Sequence, residues 1–207
     1  MNERTHIQHR LSRNRIVPAV RDLTRLRRAL SARPSAVIVF SPSIDMVVEM
    51  AEQARQAEAL LLIHADMMEG IASDAAGLRF LARNGVAGVA TTRTQTMTMA
   101  HQAGLLVTFR VFLIDSAALE TVARIVERNH PDVVEALPAP ILPHLPLHYI
   151  QDLGVPILAG GLVRTTADVD AAIAAGATAI STSTESLWDT GIGYKLLAGQ
   201  RVLHNGK

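Results

Sequence analysis

The sequence predicts a single α/β domain of the (β/α)8 TIM-barrel type, small for that fold. From residue 16 onward, short apolar runs alternate with stretches of helical periodicity. Most of these runs are continuously apolar, which is typical of parallel strands that are covered on both faces. The length of 207 residues is near the lower limit for such a barrel. The alternative is a doubly wound open parallel sheet.

Eight segments qualify as strands because each is rich in Val, Ile, Leu and Ala. In most of them a glycine, a proline or a polar residue marks an end. In chain order they are residues 16–20, 36–40, 59–65, 86–92, 105–114, 133–138, 156–160 and 177–182.

The intervening segments carry helix signals. Ser116 precedes the stretch AALETVARIVERN, in which Glu120 lies near the start and Arg124 and Arg128 near the end, as the helix dipole favours. Further on, Thr165 and Asp168 have the spacing of a capping box. The phrases NGVAG, LGVPI and AGATAI all predict a helix end, a glycine and the next buried strand.

Composition limits the chemistry of the protein. The absence of cysteine excludes a disulfide scaffold, a thiolate zinc site and a cysteine nucleophile. The net charge is +1, but residues 1–33 contain nine arginines against Glu3 and Asp22. Such a basic segment indicates either a nucleic-acid contact or a solvated helix face.

The chain is expected to divide into three parts. These are a basic N-terminal segment (residues 1–15), a phosphate-binding barrel (residues 16–188) and a C-terminal tail (residues 189–207). No signal peptide or membrane-spanning run is visible, so the sequence predicts a cytoplasmic protein without a membrane partner. It does not fix the oligomeric state, and a homo-oligomer is compatible with it.

The stretch ILAGGLVRTTAD predicts a phosphate site. In a barrel, phosphate is often bound by the loops after strands seven and eight. Here a glycine pair brings backbone N–H groups close to an anion, the next helix begins nearby, and hydroxyls follow strand eight. An arginine adds a planar charged group that suits a pair of phosphate oxygens. The candidate phosphate ligands are Gly160, Gly161, Arg164, Ser181, Thr182 and Ser183.

Charged residues at other strand ends predict the rest of a ligand pocket. Asp66 follows strand three, Arg93 follows strand four, and Arg110 and Glu135 lie within strands five and six. An ionised side chain on a buried strand is unfavourable unless it is paired. The last two residues therefore either form an internal salt bridge or help to line a polar pocket with the first two.

His144 and His148 have the i, i+4 spacing of a helical metal pair. Pro143 and Pro146 interrupt a helix there, and no third ligand is evident nearby. A surface histidine pair without a metal is the favoured interpretation.

Seven phrases together resemble a known family. They are VPAVRDL, LLIHADMMEGIASD, GVATTR, FRVFLIDSAALE, PDVVEALP, GVPILAGGLVRT and AAGATAISTSTESLW. Their order and spacing, from about residue 17 to residue 188, resemble those of the bacterial glycerol uptake operon antiterminators. These are glycerol-3-phosphate-responsive regulators. The proline-rich stretch at residues 138–148 departs from the family pattern.

The resemblance implies a regulator rather than an enzyme. Its effector would be glycerol 3-phosphate, and its partner would be the leader mRNA of glycerol-utilisation genes, in which it prevents transcription termination. No cofactor and no metal-binding residue are predicted, and the sequence leaves open whether a metal ion takes part. The phosphate would bind at the glycine pair, at Arg164 and at the hydroxyls after strand eight. We expect replacing Arg164 by alanine to weaken the response to the effector. RNA contacts would come from Arg10, Arg13, Arg15, Arg25 and Arg28.

An enzyme acting on a small sugar phosphate, such as an isomerase or a lyase, is the competing hypothesis, since phosphate-binding barrels are often enzymes. Asp66 and Glu135 would then serve as acid and base. A Schiff-base aldolase is disfavoured because the two lysines, Lys195 and Lys207, both follow the last strand.

Overall fold

The computed structural model describes residues 3–192 and contains a closed barrel of eight parallel strands in chain order. The predicted fold is confirmed. The open sheet is wrong, because the eighth strand pairs with the first. The strands are β1 (Ile16–Val20), β2 (Ala36–Val39), β3 (Leu60–His64), β4 (Gly88–Thr91), β5 (Leu106–Phe112), β6 (Val133–Leu137), β7 (Ile157–Gly160) and β8 (Ala179–Thr182).

Helices precede β1 and follow the strands. They are α1 (Glu3–Arg13), α2 (Leu23–Ser31), α3 (Ile44–Gln56), α4 (Ala75–Arg83), α5 (Thr94–Gln102), α6 (Ser116–Asn129), α7 (Leu147–Gln151) and α8 (Thr166–Ala174). Short 3₁₀ segments occupy Ala65–Met67, Ala139–His144 and Glu185–Ile192. The part of the predicted C-terminal tail from residue 193 onward, with both lysines, lies outside the described residues.

The core has two parts. The larger apolar cluster contains helix residues and the strand residues that face them. The smaller cluster contains residues from six strands, among them Val17, Ile38 and Leu158, and forms the interior of the barrel. Helix α1 contributes Ile7 and Leu11 to this inner cluster, at 2% and 1% exposure. The amino end of the barrel is therefore closed by a helix from the basic N-terminal segment.

Local signals account for the helix boundaries, with one correction. The predicted capping box is present, because the Thr165 hydroxyl accepts from the Asp168 N–H and the Asp168 carboxylate accepts from the Thr165 N–H. In α6, however, the cap is Asp115 and not Ser116. The Asp115 carboxylate accepts from the N–H of Ala118, so the serine becomes the first helical residue. Within residues 3–192, no helix has both the length and the apolar character needed to cross a membrane.

Candidate functional site

A cavity of about 330 Å³ opens at the carboxyl end of the barrel, a size that suits a small ligand. It lies between the exits of β1, β7 and β8 and reaches the ends of β5 and β6. Its lining residues are Ala19, Arg21, Arg25, Phe40, Arg110, Glu135, Leu137, Gly161, Leu162, Val163, Ser181, Thr182 and Ser183.

Two paired charged side chains line the cavity, and a buried histidine contacts one of them. Arg110 and Glu135 are register partners on β5 and β6, and the Arg110 Nε donates to the Glu135 Oε2 at 2.5 Å. The Arg110 Nη1 lies 2.5 Å from the Nε2 of His64, and its guanidinium carbon lies 5.0 Å from the centroid of the Phe40 ring. Exposure of the Glu135 side chain is 1%. Arg110 and Glu135 therefore form an internal salt bridge and also line the cavity.

His64 is held in the neutral form. Burial, followed by the positive charge of Arg110, lowers the pKa of His64 to about 4. Because its Nε2 accepts the hydrogen bond from Arg110, the ring proton is assigned to Nδ1. That buried Nδ1 has no hydrogen-bond partner within residues 3–192.

Glycine is needed at each of the two positions at the exit of β7, for a different physical reason. A Cβ on Gly160 would lie 2.6 Å from Glu135 Oε1, so glycine is needed there to admit the carboxylate. Gly161 has φ of +74°, a conformation that side-chain-bearing residues rarely adopt. Gly161 lines the cavity, whereas the space beside Gly160 is occupied by a negative charge. An anion is therefore better accommodated at Gly161.

Hydroxyls tie the exits of β7 and β8 together. The side chains of Thr182 and Thr184 both donate to the backbone oxygen of Val163, at 2.9 and 3.0 Å. The hydroxyl proton of Thr182 is therefore already used inside the protein. Ser181 and Ser183 also line the cavity, and their hydroxyls form no hydrogen bond with any described residue.

The start of α8 differs from the predicted anion cradle. The N–H groups of Arg164 and Thr165 both donate to the Asp168 carboxylate at 2.9 Å. These two hydrogen bonds are the leading causes of the lowered pKa of Asp168. The two N–H groups just before α8 are thus already bound to a carboxylate of the protein itself. The Arg164 side chain is exposed and does not line the cavity.

Two arginines that sequence analysis did not assign to the pocket do line it. Arg21 directly follows β1, and Arg25 lies in the first turn of α2. The Arg25 Nε is 3.5 Å from Glu185, and both side chains are about half exposed. The strand-exit rule that singled out residues after the other strands would have found Arg21. Both arginines belong to the arginine-rich residues 1–33, and the sequence hypothesis assigned Arg25 to RNA.

Asp66 and Arg93 do not line the cavity. The Asp66 carboxylate accepts from the Thr91 hydroxyl at 2.7 Å and from the N–H of Thr92 at 2.8 Å. Burial would raise the pKa of Asp66, but these hydrogen bonds lower it overall. The Arg93 Nε is 3.9 Å from Asp66, and its side chain is 67% exposed. The carboxylate therefore links the exits of β3 and β4.

The five arginines predicted to bind RNA do not form one surface. Arg10 and Arg13 lie at the amino end of the barrel, and Arg15 immediately precedes β1. The buried Nε of Arg15 has no partner among the described residues. Arg25 lies at the opposite end, in the cavity, and Arg28 lies 2.5 Å from Asp189.

The predicted histidine pair is divided between two segments. His144 ends a 3₁₀ segment, whereas His148 lies in the short helix α7 and stacks on Tyr149 with ring centroids 4.5 Å apart. Within residues 3–192, no group of three or more His, Cys, Asp or Glu side chains is placed to hold a metal ion.

Comparisons with known proteins point to one family. The model of the family described as glycerol-3-phosphate responsive antiterminator matches residues 16–188. A crystal structure of a glycerol uptake operon antiterminator regulatory protein from Listeria monocytogenes str. 4b F2365 superposes with a TM-score of 0.76. It is 28% identical, over 84% of this chain and 94% of that chain.

The chain is also similar to a protein of Escherichia coli and to a solved aldolase structure. YgcP, an uncharacterized protein of Escherichia coli (strain K12), is 27% identical over 181 residues, which are 87% of this chain and 94% of that protein. The deoxyribose phosphate aldolase of Aeropyrum pernix is 16% identical, with a TM-score of 0.66 over 92% of this chain and 98% of its own. The aldolase shares the fold, and its similarity supports nothing beyond that.

Proposed function

Because this chain belongs to the family of glycerol-3-phosphate responsive antiterminators, we propose that it senses glycerol 3-phosphate and prevents transcription termination by binding leader mRNA of glycerol-utilisation genes. The observation that carries the proposal is the cavity at the carboxyl end of the barrel, which combines arginines with hydroxyl and backbone donors. Its proposed partner is a transcript, so we also propose that it works in the cytoplasm.

The phosphate is proposed to bind between the exits of β1, β7 and β8. Arg21 and Arg25 supply positive charge there, and guanidinium groups bind phosphate oxygens in pairs. The Ser183 hydroxyl and the backbone at Gly161 add uncharged donors on the facing side. This arrangement keeps the phosphate away from the Glu135 carboxylate, which lies beside Gly160.

The glycerol end is proposed to bind over the salt bridge of Arg110 and Glu135. A glycerol hydroxyl both donates and accepts, so it can bond to a carboxylate and to a guanidinium at the same time. Both groups are fixed by their mutual hydrogen bond, and little conformational entropy is lost when they bind a ligand. The ligand is recognised at both ends, and the phosphate provides most of the affinity.

An enzymatic role is the second candidate, since aldolase barrels share this fold. The described residues contain no lysine, and thus no Schiff-base nucleophile. The Glu135 carboxylate already accepts a hydrogen bond from Arg110, its partner on the neighbouring strand. We therefore propose that the cavity binds its ligand without transforming it.

Thermal denaturation tests the effector. We expect millimolar glycerol 3-phosphate to raise the Tm, whereas glycerol at the same concentration does not. Arg25→Gln should weaken ligand binding by roughly ten- to hundredfold, because a charge-assisted hydrogen bond contributes about 1.5–3 kcal/mol. Titration calorimetry gives the dissociation constants. Arg124→Gln, on the exposed face of α6, is the matched control and should bind like the wild type.

A third variant tests whether Arg25 or Arg164 binds the phosphate. Arg164→Gln should keep the ligand affinity, because its side chain lies outside the cavity. A loss of affinity in Arg164→Gln with none in Arg25→Gln would reverse the assignment. The absence of any Tm shift in the wild type would contradict the effector itself. Steady conversion of a triose phosphate by the wild type would favour the enzyme.

A further inference from the structure

The amino end of the barrel carries arginines without carboxylate partners. Arg10 and Arg13 on α1 and Arg33 after α2 line a broad depression of about 1310 Å³. None of the three forms an ion pair with any residue between 3 and 192. We call these three residues the arginine face.

The arginines of α2 differ in this respect. Arg27 lies 2.8 Å from Glu49, and Arg28 lies 2.5 Å from Asp189. Their positive charges are partly neutralised by these carboxylates. The arginines of residues 7–33 that form no ion pair with a described residue are Arg10, Arg13, Arg15, Arg21 and Arg33, and three of these five lie on the arginine face.

Hydrogen bonds hold the arginine face together. The Arg10 guanidinium donates to the backbone oxygen of Glu58. Asn14, which is 2% exposed, donates from Nδ2 to the backbone oxygen of Arg33 at 3.1 Å and accepts from the N–H of Ile16 at 3.2 Å. The spacing of the arginines is thus set by the end of α1 and the start of β1.

We propose that the arginine face binds the phosphate backbone of RNA. The depression is about four times the volume of the effector cavity, so it suits an extended polyanion better than a single small anion. Among residues 3–192, no Phe, Tyr or Trp lines it, which disfavours base stacking and favours contacts to the backbone of folded RNA. Glu58 is one carboxylate at the rim. The choice of RNA rests on the proposed function, and the face lies opposite the effector cavity.

Fluorescence anisotropy with a labelled RNA hairpin of about 30 nucleotides tests the proposal on the full chain. The triple variant Arg10→Gln, Arg13→Gln, Arg33→Asn removes the charge of the face. Asparagine is chosen at position 33 because it tolerates the left-handed φ of 51° found there. We expect at least tenfold weaker binding at 100 mM KCl. The slope of log K against log salt should fall by about 2 to 3, since each phosphate contact contributes about 0.7–0.9.

The matched control removes the same charge elsewhere. Arg27→Gln, Arg124→Gln, Arg128→Gln should bind the hairpin within twofold of the wild type, with an unchanged salt slope. An unchanged affinity in the arginine-face variant, or an equal loss in the control, would overturn the proposal. Binding of the wild type to phosphatidylglycerol vesicles but not to the hairpin would overturn it as well. If the triple variant does not fold, the double variant Arg13→Gln, Arg33→Asn, which keeps the Arg10 contact, takes its place.

The effector response separates this proposal from the proposed function. The arginine-face variant should show the wild-type Tm shift with glycerol 3-phosphate. RNA binding through this face without any effector response would contradict the proposed function and leave the arginine face intact. Effector-dependent RNA binding that the variant retains in full would overturn the arginine face and leave the proposed function intact.

Discussion

Single residues at the base of the cavity show how far sequence reasoning reaches. Arg110 and Glu135 stand out in the sequence because charge on a buried strand needs a partner, and they are each other's partner. Asp66 and Arg164 come after strands, where ligand residues are also expected, but their side chains lie outside the cavity. Strand-end position alone cannot tell a residue that faces the ligand from one that ties two loops together.

His64 makes the stability of the protein dependent on pH. Its pKa is lowered from 6.5 to about 4 in the folded state. Between these values the unfolded chain binds a proton that the folded protein excludes, so the free energy of unfolding falls as the pH falls. The loss approaches about 3 kcal/mol at pH 4, since each unit of pKa corresponds to about 1.4 kcal/mol. Asp66, whose pKa lies below its ordinary 3.8, affects stability only at lower pH.

Urea denaturation between pH 4.5 and 7.5 measures this effect. In His64→Gln the amide oxygen can still accept a hydrogen bond from Arg110, but the side chain at position 64 no longer titrates. The free energy of unfolding should therefore depend less on pH. His144→Gln is the control, because His144 is exposed and should leave the wild-type dependence unchanged. A His64→Gln variant with the wild-type pH dependence would assign the effect to other groups.

At the scale of secondary structure, sequence signals located all eight strands, because buried parallel strands are continuous apolar runs. The capping box of α8 was also evident, since it depends only on Thr165 and Asp168. The effect of this capping box on the neighbouring backbone donors was not evident from the sequence. The Asp168 carboxylate accepts from the N–H groups of Arg164 and Thr165, which are then no longer available to a phosphate. A motif that begins a helix can thus use backbone donors that a ligand would otherwise bind.

Helix α1 illustrates a different limit. Its arginines dominate the sequence, whereas its structural contribution comes from Ile7 and Leu11, which are buried in the barrel interior. Two apolar residues four apart in a basic segment are a weak signal by themselves. Their burial depends on the closed barrel beneath them, which local sequence cannot specify.

Leu11→Ala tests whether α1 is part of the barrel core. Leu11 is 1% exposed, so its truncation should lower the free energy of unfolding by about 2–5 kcal/mol. Gln8→Ala on the exposed side of the same helix should change it by less than about 0.5 kcal/mol. Chemical denaturation measures both. A loss below about 1 kcal/mol in Leu11→Ala would mean that α1 is only loosely attached to the barrel.

At the scale of the whole molecule, the barrel separates two positively charged regions. Arg21 and Arg25 lie at the carboxyl end, in the effector cavity, and the arginine face lies at the amino end. In the sequence, the arginines of residues 1–33 form one group because they are close together in the chain. Strand β1 carries the chain to Arg21 and Arg25 at the carboxyl end, and α2 returns it to Arg33 at the amino end. The separation is a property of the topology.

The separation leads to a prediction about coupling. If both proposals hold, effector and RNA share no ligand residue, and any effect of one on the other passes through the barrel as a coupling free energy. Linkage then requires the factor by which glycerol 3-phosphate tightens RNA binding to equal the factor by which RNA tightens glycerol 3-phosphate binding. We expect a factor of roughly 5 to 150, the usual range for allosteric coupling.

Hairpin anisotropy with and without saturating effector, and effector calorimetry with and without hairpin, measure the two factors independently. The arginine-face variant should lose the effect of RNA on effector binding at hairpin concentrations that saturate the wild type. A factor of one in both titrations would mean that the two ends of the barrel bind their ligands independently, and effector-controlled antitermination would then require another route.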